Sequence, residues 1–174
     1  KFNNYIGKTS DTEEYYSEII AAELLNTPEF FDKIKSIKRE SIGKSYLTKS
    51  HHDGTFSINE KSNRHEEKFA KLLFDKNNNY SSLGKIIDFQ VPLKDKQKDK
   101  AGKIDLISFD KNNSTLYLIE LKYGENTETL LRAILEIYTY YKIVDEGKLK
   151  NDFKNLLLEA SDFEKIQVKP AVML

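Results

Sequence analysis

The chain contains no cysteine, so disulfides and thiolate metal sites are excluded. Neither sign of charge is in excess: 28 Lys and Arg balance 28 Asp and Glu. A strongly basic balance would by itself point to nucleic acid, and neutrality removes that argument. No apolar run approaches the ~20 residues that a membrane span needs. No secretory signal is visible, so a cytoplasmic location and no membrane partner are the default expectations. An initiating Met is also missing, and the chain stops on the apolar run Val168-Lys169-Pro170-Ala171-Val172-Met173-Leu174. It reads as a fragment, with further domains or a homodimer as open possibilities.

What is present suits one domain with a real core: 174 residues, 39% hydrophobic and 32% charged, the composition of a soluble globular protein. The charge is uneven. Lys33, Lys35, Lys38, Arg39, Lys44 and Lys49 cluster early, and Lys94, Lys96, Lys98, Lys100 and Lys103 cluster in the middle, diluted by Asp95 and Asp99. Solvated surface and phosphate contact are equally open readings of these runs.

The pattern predicts helix over 11–25, where Tyr15, Ile19, Ala22 and Leu25 fall at helical spacing, and a second helix after Pro28 with the stripe Phe30, Phe31, Ile34 and Ile37. Residues 41–62 read as a polar loop with short ordered pieces. A third helix begins near Ser62-Asn63, buries Phe69, Ala70, Leu72 and Leu73, and ends at Asn77-Asn78-Asn79. Strands are expected over 86–93, with Ile87, Phe89, Val91 and Leu93 alternating, over 103–109 and over 115–122. Lys111-Asn112-Asn113-Ser114 is a tight-turn composition. A strongly apolar helix over 130–144, introduced by Asn126-Thr127-Glu128, a shorter one over about 149–159 and a last strand from Val168 complete an α/β pattern.

Centring the turn between Asn112 and Asn113 places Asp105 opposite Glu120. Strand alternation then puts Asp105, Ile107 and Phe109 on one face with Leu116, Leu118, Glu120 and Lys122, and Ile104, Leu106, Tyr117, Ile119 and Leu121 on the other. Both faces are mainly apolar, so the sheet should be covered on both sides. Opposed carboxylates destabilise a sheet. At ~5 Å and an effective dielectric of ~20 their repulsion is roughly 3 kcal/mol, and desolvation adds to it. A divalent cation relieves it, because two carboxylates, water and a substrate phosphate form a hard oxygen site suited to Mg²⁺. Lys122, on the same face, can orient or deprotonate a water or neutralise charge developing on phosphorus. The bland alternative is a Glu120–Lys122 ion pair near a strand end, with Asp105 paired to Lys103.

The flanking helices offer partners. Either Glu66 or Glu67 could point from the third helix to the sheet, although an acid in a first turn also simply suits the helix dipole. On the later helix Arg132, Glu136 and Tyr140 share a face at four-residue spacing, with Leu131, Leu135 and Tyr138 able to pack on the sheet. An Arg132–Glu136 pair on a solvated face and a supporting role for Glu136, with Arg132 or Tyr140 on phosphate, are both open.

Taken in order, a helix with Glu, a strand, a strand with Asp105, a strand with Glu120-Leu121-Lys122, a helix and a strand resemble the PD-(D/E)XK nuclease superfamily over about residues 62–174. The resemblance implies a restriction-endonuclease-like α/β core, a central mixed sheet flanked by helices; residues 1–61 read as an N-terminal helical extension and loop, and the whole as one compact domain. It implies Asp105, Glu120 and the Leu121 backbone carbonyl as ligands of Mg²⁺ (Mn²⁺ as substitute), Lys122 as the catalytic lysine and Glu66 or Glu67 as the helix acid. Glu136-x-x-x-Tyr140 matches the Gln-x-x-x-Tyr that several members carry. Ile104 stands in place of the name-giving Pro, and Glu replaces Gln at 136. Arg64, Arg132 and Tyr140 become candidate nucleic-acid contacts. The implied function is Mg²⁺-dependent phosphodiester hydrolysis, with DNA as the first substrate to consider. The alternatives are a nuclease-like module that binds nucleic acid or protein without cutting, and a plain interaction module.

Three signals carry less. Gly43-Lys44-Ser45 ends like a P-loop, but Lys38 stands where its first Gly belongs and no buried strand precedes it. His51-His52-Asp53 offers no fixed cage, since adjacent histidines in extended chain point apart. Aromatic residues at helical spacing read as core rather than stacking platforms.

Overall fold

The computed structural model describes residues 6–36, 42–59, 61–93, 102–124, 128–157 and 163–174. The expectations on Ile37, Lys38, Arg39, Lys94 to Lys100, Asn126-Thr127 and the end of the helix over 149–159 lie outside them. No helix among the described residues is long and apolar enough to cross a membrane.

The centre is an open five-stranded mixed sheet of order β1-β2-β3-β4-β5. β1 (Asn79–Tyr80), β2 (Gly84–Pro92), β3 (Lys103–Asp110) and β4 (Thr115–Leu121) run antiparallel in sequence. β5 (Gln167–Met173) pairs parallel to β4. The turn after β3 is tied by Asp110, whose Oδ1 accepts the Asn112 and Asn113 N–H groups at 3.0 and 3.3 Å. It sets Phe109 opposite Leu116 and Leu106 opposite Ile119, the register that the turn composition predicts. Pro170 lies on β5, an edge strand, where a missing N–H costs little.

Both faces of the sheet are covered. Ile107, Phe109, Leu116 and Leu118 belong to one buried cluster with Ile137, Leu149, Phe153 and Leu157. Leu106, Ile119 and Leu121 belong to the other, with Ala70 and Leu73. α3 (His65–Asp75) supplies the latter pair, and α4 (Leu130–Ile143), α5 (Glu146–Asp152) and α6 (Lys154–Leu157) cover the former side. α1 (Tyr16–Leu25) and α2 (Pro28–Lys35) lie against α4.

Several expectations need correction. Ile104 packs with the Ile107 cluster, not with Leu106. β2 does not alternate simply: Ile87 and Val91 join one cluster and Phe89 the other. The cause is a bulge between Ile86 and Asp88 followed by Gln90 at φ 48°, which turns the chain over mid-strand. α3 starts at His65 rather than Ser62-Asn63, and Asn77 at φ 52° follows its end. α4 is capped by Thr129, whose side chain accepts from Arg132 N–H. Its buried residues are Ala133 and Ile137; Leu131, Leu135 and Tyr138 are half-buried and belong to neither core cluster. The helix expected over 149–159 is two short helices, broken at buried Phe153. In the expected polar loop, Ile42 and Tyr46 are buried in the core, and Tyr46 OH accepts from Asp145 N–H at 3.2 Å.

Candidate active site

The β3–β4 ladder ends at Leu106 and Ile119. One step further, Asp105 faces Glu120, and the strands exchange a side-chain bond instead: Leu121 N–H donates to Asp105 Oδ2 at 3.0 Å. A strand residue's N–H and C=O point to the same side. The Leu121 carbonyl is therefore turned toward β3 as well. Gln90 Nε2 donates to Asp105 Oδ1 at 2.8 Å from the other neighbouring strand.

Burial is the main cause that pushes the Asp105 carboxyl up to about 6, against the opposing hydrogen bond from Leu121 and the charge of Lys122. Burial, then the charge of Asp105, pushes Glu120 up to about 7. Two adjacent acids that share one desolvated site resist losing both protons. Lys122 Nζ bridges Glu120 Oε1 and Glu128 Oε2, both at 2.8 Å. Burial alone would lower the ammonium's pKa, but these two carboxylates outweigh it and hold the group well above the ordinary lysine range.

α3 delivers one of its two glutamates inward. Glu66 lies four and seven residues before Ala70 and Leu73, the helix's buried positions. Phe69 stacks on Tyr123 with ring centroids 4.0 Å apart, and Tyr123 N–H donates to Glu66 Oε1 at 3.4 Å. Glu66 adds its charge to those acting on Asp105 and Lys122. Glu67 is turned to Arg64 and Lys71, each at 3.2 Å. On α4, Glu136 takes Arg132 Nε at 3.3 Å and Tyr140 OH at 2.7 Å. Burial and that bond to Glu136 hold the Tyr140 phenol well above its usual range.

These groups line a cleft of about 650 Å³, whose walls include Arg64, Glu66, Glu67, Gln90, Asp105, Glu120, Lys122, Glu128, Arg132 and Glu136. Tyr140 lines the adjoining hollow with Arg132 and Glu136. Asp105, Glu120, Lys122, Glu66 and Glu136 are thus brought together, Arg64 and Glu67 sit at the rim as a pair, and Asp105 is bonded to Gln90 rather than to Lys103. Among the described residues, no group of three or more His, Asp or Glu side chains is arranged as a ready metal cage.

Two wall residues carry no signal of their role in the sequence alone. Gln90 was one polar position in a strand, and only the β2–β3 register sets it opposite Asp105. Glu128 read as a helix start, yet it holds Lys122. The histidine pair also behaves differently from expectation. His51 Nδ1 meets Asp88 Oδ1 at 2.6 Å, and His52 Nε2 lies 3.7 Å from Asp88 Oδ2, so both rings converge on one buried acid. The 3-10 turn Lys49–His51 makes that possible where extended chain would not.

Comparison with protein-family models, curated proteins and solved structures returns no match for this chain.

Proposed function

We propose that the cleft is the active site of a divalent-metal-dependent nuclease with a restriction-endonuclease-like core. The observation that carries the reading is the opposed pair Asp105 and Glu120, desolvated together beside Lys122. The element order α3, β1, β2, β3, β4, α4, α5, α6, β5, with β5 parallel to β4, is compatible with that core. Cleft chemistry fits a hard cation: six acids face Arg64, Lys122 and Arg132. A phosphate could not approach such an excess of negative charge unaided.

Asp105, Glu120 and the Leu121 carbonyl would hold Mg²⁺ or Mn²⁺, which supplies Lewis acidity and charge neutralisation at the phosphodiester. Asp105 and Glu120 each keep oxygen lone pairs beyond those used in the bonds above. Lys122, held as an ammonium by two carboxylates, acts as a donor that orients water or stabilises the negative phosphoryl oxygens; in this arrangement it is not a base. Glu66 adds a further carboxylate beside that pair. Glu136 orients Arg132, which stands at the cleft wall as a phosphate contact.

The test is cleavage of single- and double-stranded DNA and RNA in Mg²⁺, Mn²⁺ or EDTA. Metal-dependent cutting lost in Asp105→Ala and Lys122→Ala, with folding retained by circular dichroism, is expected. Wild type that cuts none of these substrates in any condition sinks the proposal.

A further inference from the structure

Gln90 is the one non-glycine residue inside a described strand with a left-handed backbone, at φ 48°; Glu13, Asn77 and Ser114 share the sign but lie outside the strands. Such a conformation is unfavourable for a side-chain-bearing residue and persists where its surroundings enforce it, often at functional sites. Here it has two visible consequences. Phe89 and Val91, which would share a face in a regular strand, enter opposite clusters. The Gln90 amide enters the cleft and donates to Asp105 Oδ1 at 2.8 Å.

We propose that Gln90 is a positioning residue that fixes the Asp105 carboxylate in the orientation in which it meets a divalent cation, an inference that rests on the metal-site reading above. The geometry is a two-sided clamp. Gln90 on β2 holds one oxygen of Asp105, and Leu121 N–H on β4 holds the other at 3.0 Å. Two donors on opposite sides define the plane of the carboxylate. Each oxygen retains acceptor capacity for a metal. The chemistry of the clamp also suits the task. A lysine at position 90 would neutralise Asp105 and compete with the cation, and a glutamate would repel it. A neutral amide orients the acid and leaves its charge available, as outer partners of metal ligands do.

Two variants separate the clamp from the fold. Gln90→Met keeps the side chain's length and removes the donor. Gln90→Gly removes the donor and relieves the left-handed strain. Binding of Mn²⁺ is measured by calorimetry on the full chain, with thermal unfolding in EDTA as the second readout and Asp105→Ala as control. Both variants are expected to bind Mn²⁺ about tenfold or more weakly than wild type, with the unfolding midpoint of Gln90→Gly at or above that of wild type. Wild-type Mn²⁺ affinity in Gln90→Met overturns the inference while leaving the metal site intact. Weakened binding accompanied by a clearly lower midpoint in Gln90→Gly overturns it too, because the residue then serves the fold. A wild type that binds no Mn²⁺, or binds it equally after Asp105→Ala, removes the metal-site reading itself and this inference with it.

Discussion

Asp105 and Glu120 illustrate how a residue's cost can be read from its surroundings. Both carboxyls titrate above their unfolded values, at about 6 and about 7. At these two groups the native state therefore binds more protons than the unfolded state between about pH 4 and 7, and their contribution to metal-free stability falls as pH rises through that window. Lys122 works the other way: its raised pKa contributes stability throughout neutral pH that is lost only in strong alkali. Urea unfolding in EDTA from pH 4 to 8 should show the decline. Asp105→Asn should make it shallower, leaving the part that burial of Glu120 contributes, with a gain on the order of 2 kcal/mol at pH 7. The same substitution should abolish Mn²⁺ binding, so stability and function change in opposite directions. A gain of stability with pH in wild type would contradict this account. Metal affinity in turn should rise from pH 6 to 7.5, since protons and the cation compete for the same oxygens.

At the scale of elements, two local devices hold the sheet in the form that the cleft needs. The first is Asp88, fully buried on the bulged part of β2. It accepts from His51 at 2.6 Å and from Thr48 N–H at 3.3 Å, while His51 stacks on Phe89 at 3.8 Å between centroids. This ties the 48–56 segment to the strand that carries Gln90. His51→Ala leaves a buried acid short of its strongest partner and should cost about 3 kcal/mol in denaturant unfolding at neutral pH. A loss under 1 kcal/mol would show that the tie is weak. The second is Gly84, which opens β2 at φ 72°. A Cβ there would meet Phe109 O at 2.1 Å, and backbone cannot swing aside as a flexible side chain can. Gly84→Ala should destabilise by roughly 2–4 kcal/mol. An unfolding midpoint equal to wild type would mean that the strand start readjusts.

For the whole molecule, the balance of 28 basic and 28 acidic residues conceals a local excess of acid in the cleft. Long-range attraction for a polyanion is therefore weak, and on the proposed metal-site reading the local field opposes it in the absence of a cation. Fluorescence anisotropy with a DNA duplex, in EDTA and in Ca²⁺, tests this directly. Ca²⁺ takes the same oxygen ligands as Mg²⁺. Binding should strengthen at least about tenfold, ~1.4 kcal/mol, on adding Ca²⁺ at constant ionic strength, and Asp105→Asn should remove most of that gain. Equal affinity in EDTA and Ca²⁺ would place the nucleic-acid surface elsewhere and favour a binding module over a nuclease.

The β3–β4 hairpin was readable from its residues, because a short turn and a side-chain period of two leave little freedom in register. That arithmetic sets Asp105 opposite Glu120 with Lys122 alongside, and it shows that both faces of the sheet are covered. Local chemistry could not go further. Whether Glu66 or Glu67 turns inward depends on where Ala70 and Leu73 meet the sheet, and that docking puts Glu66 within reach of Tyr123 N–H. Gln90 enters the cleft only because β2 is turned over against β3, and Glu128 reaches Lys122 only once α4 is docked. Convergence of His51 and His52 likewise needs the turn that presents them to Asp88. Pairings between neighbours in the chain are set by covalent reach and turn geometry. Those between distant segments are set by packing of the whole sheet, a property that no single stretch of residues carries.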